Sequence, residues 1–290
     1  MTTGSPTPAR HELLLRLTVG PALVALAIGV LWWHDRVGRS APTDIVMALL
    51  AGLAAWEVTA MLGGACARVP MAAPVAFAAA LAGLGLVLPE EPAARGAARA
   101  LLLAAAVLTA FVPHLRAPRD GDAARLVAAL FPILYVGLLL GLLRELGDGP
   151  AGARRLALVV LTAKASDIGG WLLGKSIGRH KMIPAVSPGK TWEGTAGGIA
   201  FSAAAAVGLN ALLGPFPELL AGTASAALFG AVLGAASIVA GLTNSALKRR
   251  CGVKDSSAFV PGVGGVLDVV DSLLLAAPVA WMWLLLRGGP

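Results

Sequence analysis

The chain has 290 residues, of which 57% are hydrophobic and only 13% are charged, and its mean hydropathy is +0.80. One soluble domain needs far fewer apolar residues, so the composition excludes a soluble globular protein and indicates a polytopic membrane protein. The net charge of +7 does not indicate a nucleic-acid-binding protein, because the basic residues lie in short loops between apolar runs, where they suit anionic lipid headgroups.

Nine apolar runs are long enough to predict membrane-spanning helices of about 20 residues each. The first run has basic flanks but ends in "GVLWWHDR" without a small-residue cleavage site, so we expect it to stay as an anchor. The predicted fold is all-α, with N-terminal transmembrane helices in residues 1–120 and a catalytic region in residues 121–290 of a single membrane domain. The predicted spans are 12–33, 43–63, 70–88, 97–115, 123–144, 154–174, 194–214, 221–244 and 264–286.

The distribution of Lys and Arg predicts which helix ends face the cytosol. The loops 175–193 and 245–263 carry four basic residues each, whereas the loop between them, "LLGPFPELLAG", carries none. Two helices separate the basic loops, so both loops lie on one side of the membrane, and the positive-inside rule makes that side the cytosol. We therefore expect a multi-pass protein of the inner (cytoplasmic) membrane.

Four carboxylates are predicted to meet near this cytosolic side. Asp268 and Asp271 lie three residues apart at the start of the last span, so they share one helix face, and two like charges there require a cation. Asp167 lies at a similar distance from the same side, and Asp255 lies in the adjoining loop. With no His or Cys beside them, these oxygen donors suit Mg²⁺, and a second cation is compatible with them. The alternative is an internal salt bridge, for instance between Asp167 and Lys164.

The two basic loops supply the groups that a polyphosphate requires. "SPGKTWEG" offers Ser187, Lys190 and Thr191 just before a predicted helix start, and "SALKRRCGVKD" places basic side chains beside Asp255. Each loop also has a simpler interpretation. The first is then an ordinary Pro-Gly turn, and the second is a positive-inside anchor. Glu57, in "AAWEVTAML", is a further charge within a span, for which a functional role and a bond to a neighbouring helix are the two alternatives.

Two segments in the C-terminal half of the chain carry a family resemblance. "SALKRRCGVKDSSAFVPGVGGVLDVVDS" is similar to the signature of the phosphatidate cytidylyltransferase (CDP-diacylglycerol synthase) family, and "SDIGGWLLGKSIGRHKMIPAVSPGKTWEGTAGG" is similar to another conserved stretch of that family. The resemblance covers roughly residues 120–285. Two positions depart from the family pattern, because Val263 stands where the signature has His and Val269 stands where it has Arg.

The resemblance implies that the chain converts CTP and phosphatidate, within a membrane of other lipids, to CDP-diacylglycerol and pyrophosphate. A homodimer is compatible with this kind of protein, and no nucleic acid is involved. The implied catalytic residues are Asp255, Asp268, Asp271 and Lys254, and the metal ligands are Asp167, Asp255, Asp268 and Asp271. The implied substrate-binding residues are Ser187, Lys190, Thr191, Ser245, Lys248 and Arg249.

Other functions remain as alternatives at this point. The two valines leave room for a related CTP-using membrane enzyme that acts on another lipid, such as an isoprenoid kinase or an archaeal-type lipid cytidylyltransferase. A CDP-alcohol phosphotransferase also uses aspartates in a membrane, but its D-x-x-D-G…G-x-x-x-D-x-x-x-D spacing is absent from this sequence. An ion-coupled transporter also places acids in its spans and predicts inverted repeats, which the sequence does not display.

Overall fold

The structure of the chain is a computed structural model, and helices account for most of its described residues. The residues that it describes are 22, 25–36, 41–65, 69–88, 92–116, 121–149, 151–214, 216, 219–262 and 264–287.

Ten α-helices follow one another along the described chain, with two short segments of other helical type and one small hairpin. Residues 25–36 are helical and are called α1. The next five are α2 (Ala41–Ala65), α3 (Ala72–Ala82), α4 (Pro92–Arg116), α5 (Asp122–Pro132) and α6 (Leu139–Glu145). The last four are α7 (Gly152–Ile177), α8 (Trp192–Leu212), α9 (Thr223–Arg250) and α10 (Val266–Leu286).

The prediction of an all-α polytopic membrane protein is confirmed. Seven helical stretches of the described chain are long and apolar enough to cross a membrane. They are Ala41–Ala65, Ala93–Val112, Asp122–Glu145, Gly152–Ile177, Trp192–Leu212, Thr223–Arg250 and Val266–Leu286.

The count of nine spans is not confirmed. The first predicted span, 12–33, begins before the described residues. The third, 70–88, contains only the 11-residue helix α3 and a 3₁₀ turn at Leu84–Leu86. At about 1.5 Å per residue, α3 is roughly half the length that a 30 Å hydrocarbon core requires. The helix ends at Gly83, where an added Cβ would lie 3.0 Å from the Cβ of Ala48 and 3.1 Å from the carbonyl oxygen of Ala79.

Helices α5 and α6 form one membrane-crossing unit, joined by a π-helical segment at Ile133–Leu138. Pro132 immediately precedes this segment and has no backbone N–H, so the ordinary helical hydrogen bond is lost there and the pitch changes. Tyr135, in the π-helical segment, stacks on Phe131 with ring centroids 5.0 Å apart. The helix of this unit is therefore irregular at the π-helical segment, which contains the only tyrosine of the chain.

Small residues let α7, α8 and α9 approach closely. A Cβ added at Gly197 in α8 would lie 2.5 Å from a methyl carbon of Leu173 in α7, and one added at Gly198 would lie 2.8 Å from the carbonyl oxygen of Ser166. In α9, the Cβ of an alanine at Gly234 would lie 2.7 Å from the hydroxyl of Ser202. The backbone at these glycines lies directly against the neighbouring helix, as is common between membrane helices.

Two short antiparallel strands interrupt the helical pattern between α7 and α8. Strand β1 (Lys181–Ile183) pairs with β2 (Ser187–Thr191), with Lys181 opposite Thr191 and Ile183 opposite Ser187. The sequence predicts only a loop there, with a turn at the Pro-Gly pair, whereas the structure has Pro188 and Gly189 inside β2 and the turn at residues 184–186. The hairpin matters for the site because it brings Lys190 against α9.

A set of buried ion pairs lies where α2 begins, and we call it the arginine network. Arg144 pairs with Asp44, and both side chains are at most 2% exposed. Arg144 and Arg95 each reach Asp148 at 2.6 Å, and Arg99 reaches Glu145 at 2.5 Å. The members of the network are Asp44, Arg95, Arg99, Arg144, Glu145 and Asp148. They join α2, α4 and α6, so this cluster ties the N-terminal helices to the rest of the bundle.

Candidate active site

Asp268 lies in the first turn of α10, where five hydrogen-bond donors surround its carboxylate. The ammonium of Lys248 donates to Oδ1 at 2.6 Å, and the amide of Asn244 donates to the same oxygen at 3.2 Å. The backbone N–H groups of Ser256 and Gly265 donate to Oδ2, both at 3.1 Å, and the hydroxyl of Ser256 lies 3.0 Å from it. Asp268 is therefore held from α9, from the loop before α10 and from its own helix start.

Asp271 shares a helix face with Asp268, as the spacing of three residues predicts. The Asn244 amide nitrogen lies 3.2 Å from Oδ1 of Asp268 and 3.2 Å from Oδ2 of Asp271, so one side chain bridges the two carboxylates. The other oxygen of Asp271 accepts a hydrogen bond from the backbone N–H of Ser272 at 2.6 Å. We call Asp268, Asp271 and Asn244, with the lysines that approach them, the aspartate cluster.

Asn244 contributes an atom whose bonding is incomplete. Its side chain is 1% exposed, and its Oδ1 is buried with no hydrogen-bond partner among the described residues. A buried amide oxygen beside two carboxylates costs free energy unless a donor or a cation completes it. Sequence reasoning missed Asn244, although a polar residue one position before the matched Ser245 is a signal that could have drawn attention to it.

Lys164 approaches the cluster from the middle of α7. Its ammonium donates to the Val269 carbonyl at 2.8 Å and to the Ser272 hydroxyl at 2.7 Å, and it lies 3.5 Å from Oδ2 of Asp167. The salt bridge that stood as the alternative for Asp167 is thus present, although Asp167 is 50% exposed. An exposed ion pair at this distance contributes little to stability, so it leaves Asp167 available to other ligands.

Lys190 reaches the same region from β2. Its ammonium donates to the carbonyl of Ile238 at 3.3 Å and passes over Gly241, where an added Cβ would lie 3.0 Å from it and 3.9 Å from Oδ2 of Asp271. Burial lowers the pKa of the Lys190 ammonium, and the carboxylates of Asp271 and Asp167 oppose that shift. The hairpin therefore delivers a desolvated cation to the face of α9 that carries the cluster.

Other residues predicted to bind substrate have local contacts. The buried Thr191 caps α8 by accepting a hydrogen bond from the N–H of Gly194 at 3.1 Å. Ser245 donates to the carbonyl of Gly241 at 2.7 Å, and the exposed Arg249 donates to the carbonyl of Val253 at 3.2 Å. A helix-capping role for Thr191 could have been inferred from its position just before a helical pattern. None of these contacts tests the predicted binding roles.

The remaining predicted residues lie in the hairpin and in the loop before α10. Ser187 is half-buried at the start of β2, opposite Ile183. Lys254 and Asp255 are exposed in the loop before α10, and an added Cβ at Gly264 would lie 3.5 Å from the Cβ of Asp255. The structure thus brings Asp268, Asp271, Lys190 and Lys248 together, and it leaves Lys254 and Asp255 at the surface nearby. Val263 lies outside the described residues.

Glu57 holds the start of α10 from α2, and it was absent from the predicted site. Its Oε1 accepts from the N–H of Val266 at 2.8 Å, and its Oε2 accepts from the N–H of Leu267 at 2.8 Å. The hydroxyls of Ser256 and Ser257 donate to the same carboxylate at 2.8 and 2.6 Å. The alternative of a bond to a neighbouring helix is therefore confirmed. The only signal in the sequence is a charge inside an apolar run.

The donor set fits Mg²⁺, although the predicted four-carboxylate site is not assembled. In the described ranges, no three His, Cys, Asp or Glu side chains come close enough together to hold a metal ion. Mg²⁺ in enzymes of phosphate chemistry is often bound by one or two carboxylates, waters and substrate phosphates. Asp268, Asp271 and the uncompleted Oδ1 of Asn244 are hard oxygen donors of this kind. The four-ligand set of Asp167, Asp255, Asp268 and Asp271 stays a prediction.

Comparison with known proteins identifies what this chain is similar to. The model of the cytidylyltransferase family matches residues 15–286. The phosphatidate cytidylyltransferase of Pseudomonas aeruginosa is 36% identical over 229 residues, covering 74% of this chain and 80% of that enzyme. The Escherichia coli protein named uncharacterized protein YnbB is 41% identical over 128 residues, covering 44% of this chain and 41% of YnbB. The phosphatidate cytidylyltransferase of Mycobacterium leprae is 36% identical over 137 residues, covering 47% of this chain and 42% of that enzyme.

Proposed function

The chain belongs to the cytidylyltransferase family, and we propose that it transfers the cytidylyl group of CTP to phosphatidate, giving CDP-diacylglycerol and pyrophosphate. The relatives from P. aeruginosa and M. leprae are named for this activity. The observation that carries the proposal is the aspartate cluster, in which Asn244 bridges Asp268 and Asp271 within reach of lysines from three other elements.

The reaction needs little proton chemistry from the protein. An oxygen of the phosphatidate phosphate attacks the α-phosphorus of CTP, the bond from that phosphorus to the oxygen bridging the β-phosphorus breaks, and pyrophosphate leaves with the electron pair. The attacking oxygen is already ionised at neutral pH, so no base has to remove a proton. Positioning and charge stabilisation can then supply most of the acceleration.

The lysines of the cluster are suited to hold the phosphates in place. Lys248 and Lys190 reach the cluster from α9 and from the hairpin, and Lys164 reaches it from α7. Their ammonium groups pair with carboxylates or carbonyls, and each can turn to a phosphate oxygen that offers more negative charge. Ser187, Ser245 and Arg249 lie close in sequence to these lysines and are proposed to contact the remainder of CTP.

Asp268 and Asp271 are proposed to bind Mg²⁺, with Asn244 as a neighbouring oxygen donor and with Asp167 and Asp255 as further ligands. When bound there, Mg²⁺ neutralises the triphosphate and the charge that develops on the leaving pyrophosphate. The carboxylates fix where the triphosphate can approach, and the lysines limit its orientation. Lys254, in the loop before α10, is proposed to contact the phosphates as they enter.

The chain is proposed to lie in the cytoplasmic membrane with the aspartate cluster open to the cytosol. The basic loops on either side of α8 and α9 support this orientation by the positive-inside rule. CTP is a cytosolic solute and phosphatidate carries its phosphate at the bilayer surface, so a site at this end of the bundle can receive both substrates.

A second candidate is a related CTP-dependent enzyme that acts on another lipid. Val269 favours it, because the family signature has Arg at this position next to Asp268, and loss of that cation can alter which lipid phosphate is bound. The reaction could then be cytidylyl transfer to a different lipid phosphate, or phosphoryl transfer to an isoprenoid alcohol.

The test is product formation by the purified chain in detergent micelles. Radiolabelled CTP is incubated with Mg²⁺ and with phosphatidate, an isoprenoid phosphate or an isoprenoid alcohol, and the lipid products are separated by thin-layer chromatography. We expect a labelled liponucleotide with phosphatidate and a release of pyrophosphate in equal amount. A liponucleotide formed only with the isoprenoid phosphate, or a lipid phosphate formed from the isoprenoid alcohol with γ-labelled CTP, would establish the second candidate, and no CTP turnover with any lipid would contradict both.

A further inference from the structure

Glu57 is buried within the bundle and accepts four hydrogen bonds from a single region far away in the sequence. Its side chain is 1% exposed, and the donors are the N–H groups of Val266 and Leu267 and the hydroxyls of Ser256 and Ser257. Burying a carboxylate is costly unless its oxygens are fully bonded, and these four donors meet that requirement. This side chain is therefore built into the start of α10, with its charge next to the positive end of the helix dipole.

Ser256 connects Glu57 directly to Asp268. Its hydroxyl oxygen lies 2.8 Å from Oε2 of Glu57 and 3.0 Å from Oδ2 of Asp268, and its backbone N–H donates to Asp268 at 3.1 Å. A hydroxyl carries one proton, so Ser256 can donate to only one of the two carboxylates at a time. With the hydroxyl proton directed to Glu57, the backbone N–H of Ser256 still bonds Asp268, so this one residue holds both carboxylates.

Gly265 leaves the room that this arrangement needs. An added Cβ at this position would overlap the hydroxyl of Ser256 and would lie 2.5 Å from Oε1 of Glu57. The residue just before α10 therefore has no side chain, so that the carboxylate from α2 can reach the backbone of the helix start. An acid within a span therefore meets, some 200 positions further along the chain, a segment that contains a Ser-Ser pair and a glycine.

We propose that Glu57 is a positioning residue for the transfer reaction, holding the start of α10 so that Asp268 faces the substrates. The inference rests on the proposed function, since it assigns a role relative to that reaction. In this proposal, α2 contributes a residue that positions the active site and does not serve only as a membrane anchor. Glu57 itself contacts protein groups and is not placed against a substrate.

The variant Glu57→Gln tests the proposal. The Gln side chain has nearly the same volume but only one acceptor oxygen, and its amide group meets the N–H of Val266 or Leu267 donor to donor. We expect kcat for liponucleotide formation to fall about 100-fold, while KM for CTP stays within about threefold. This is the pattern expected when a residue that positions a catalytic side chain is removed. Independently of activity, we expect hydrogen exchange at the amides of residues 266 and 267 to become faster.

Two further variants separate positioning from stability. Glu145→Gln makes the same change in a partly buried Glu of the arginine network, and we expect kcat per folded protein to stay within about twofold and exchange at residues 266 and 267 to be unchanged. Glu57→Asp keeps the charge on a shorter side chain, and we expect it to retain clearly more activity than Glu57→Gln. Folded protein is quantified for each variant by gel filtration.

The outcomes are distinct. If the unmodified chain forms no liponucleotide, the proposed function fails, and the exchange measurement still reports whether Glu57 holds α10. If the unmodified chain is active and Glu57→Gln keeps kcat within about threefold, or loses activity only in proportion to the loss of folded protein, the positioning role is wrong.

Discussion

Asp44 and Glu57 lie in the same helix, roughly 20 Å apart at 1.5 Å per residue, but the charged groups around them are organised in different ways. Around Asp44, the arginine network pairs three carboxylates with three guanidinium groups, and its central pair is almost fully buried. Near Glu57, the aspartate cluster is bonded by lysines, hydroxyls, amides and backbone N–H groups, and its Asn244 Oδ1 has no partner among the described residues.

The difference indicates which of the two clusters can bind a ligand. In the arginine network, each carboxylate already faces a guanidinium, so a ligand would have to break strong ion pairs to enter. In the aspartate cluster, the lysine side chains can rotate away from the two carboxylates and leave carboxylate oxygens to a ligand. Unpartnered atoms do not separate the two clusters, because Nε and Nη1 of Arg95 and Nε of Arg99 also lack partners among the described residues. Buried charges are present at both ends, so burial alone does not mark a functional site. What distinguishes the aspartate cluster is that its carboxylates are bonded by lysines, amides and hydroxyls and not by guanidinium groups.

Removal of Arg144 should have the largest effect, and the effect should be on stability. Arg144→Met leaves Asp44 buried without its guanidinium, which costs about 3–5 kcal/mol in comparable cases. We expect the unfolding temperature in detergent to fall by roughly 10 °C. The exposed Arg154→Met, which among the described residues loses a single bond, to the carbonyl of Leu213, should leave the unfolding temperature unchanged. An unaltered unfolding temperature in Arg144→Met would show that the network is not structural.

Replacement of an aspartate in the cluster should give the opposite pattern. Asp271→Asn removes a charge but keeps the size of the side chain, and we expect activity to fall about 10³-fold, equivalent to about 4 kcal/mol of transition-state stabilisation. The unfolding temperature should stay within about 2 °C of the unmodified chain, because Asp271 forms no ion pair with another described residue. Asp122→Asn makes the same substitution in a surface pair with Arg125 and should leave turnover intact. Near-normal turnover in Asp271→Asn would remove the basis for the site.

A smaller effect is expected at Gly241, where Lys190 crosses α9. The Cβ of Gly241→Ala would lie 3.0 Å from the Lys190 ammonium, which must then shift by a few tenths of an ångström or more. We expect kcat/KM for CTP to fall about tenfold, or about 1.4 kcal/mol. In the control Gly208→Ala, nothing lies within 4 Å of the added methyl group, so its activity should match that of the unmodified chain. Equal activity of the two variants would mean that Lys190 does not act from this position.

The smallest effect concerns pH. Burial lowers the pKa of Lys190 from the usual lysine value of about 10.4, so its ammonium is lost at a lower pH than that of a free lysine. If the charged form holds a phosphate, kcat/KM must decline as pH rises through the lowered pKa. Lys190→Arg stays charged there, so its activity relative to the unmodified chain should rise as pH increases, beginning below the pH at which a free lysine loses its charge. A constant ratio across the alkaline range would exclude Lys190 as the group that titrates.

Much of the fold could be predicted from the sequence, because a long apolar run can form few structures other than a membrane-spanning helix. The all-α membrane architecture follows from hydropathy alone, and the shared face of Asp268 and Asp271 follows from helical periodicity. The predicted span at 70–88 was wrong as a full crossing, because apolar composition does not reveal that the helix ends at Gly83. The two strands of the hairpin were missed for a similar reason, since three- and five-residue strands give almost no periodic signal, and Pro188 and Gly189, which favour a turn, lie inside β2.

The candidate site was only partly accessible from the sequence, because its remaining contacts are long-range. Glu57 meets Val266 across more than 200 positions, and Lys164 meets Ser272 across more than 100. A local sequence pattern gives no signal for contacts between residues so far apart in the chain. The sequence predicted Lys248 as a substrate-binding residue. Its carboxylate partner Asp268 is evident only from the packing of α9 against α10 in the structure.

The central claim is that the aspartate cluster serves a transfer of the cytidylyl group to a lipid phosphate. The most direct test follows the fate of two labels, with the purified chain, phosphatidate, Mg²⁺ and CTP labelled at either the α- or the γ-phosphate. We expect the α-label in the lipid product and the γ-label in pyrophosphate, in equal amounts, and neither transfer with Asp268→Asn. Recovery of the γ-label in the lipid, or of both labels in intact CTP, would contradict the account.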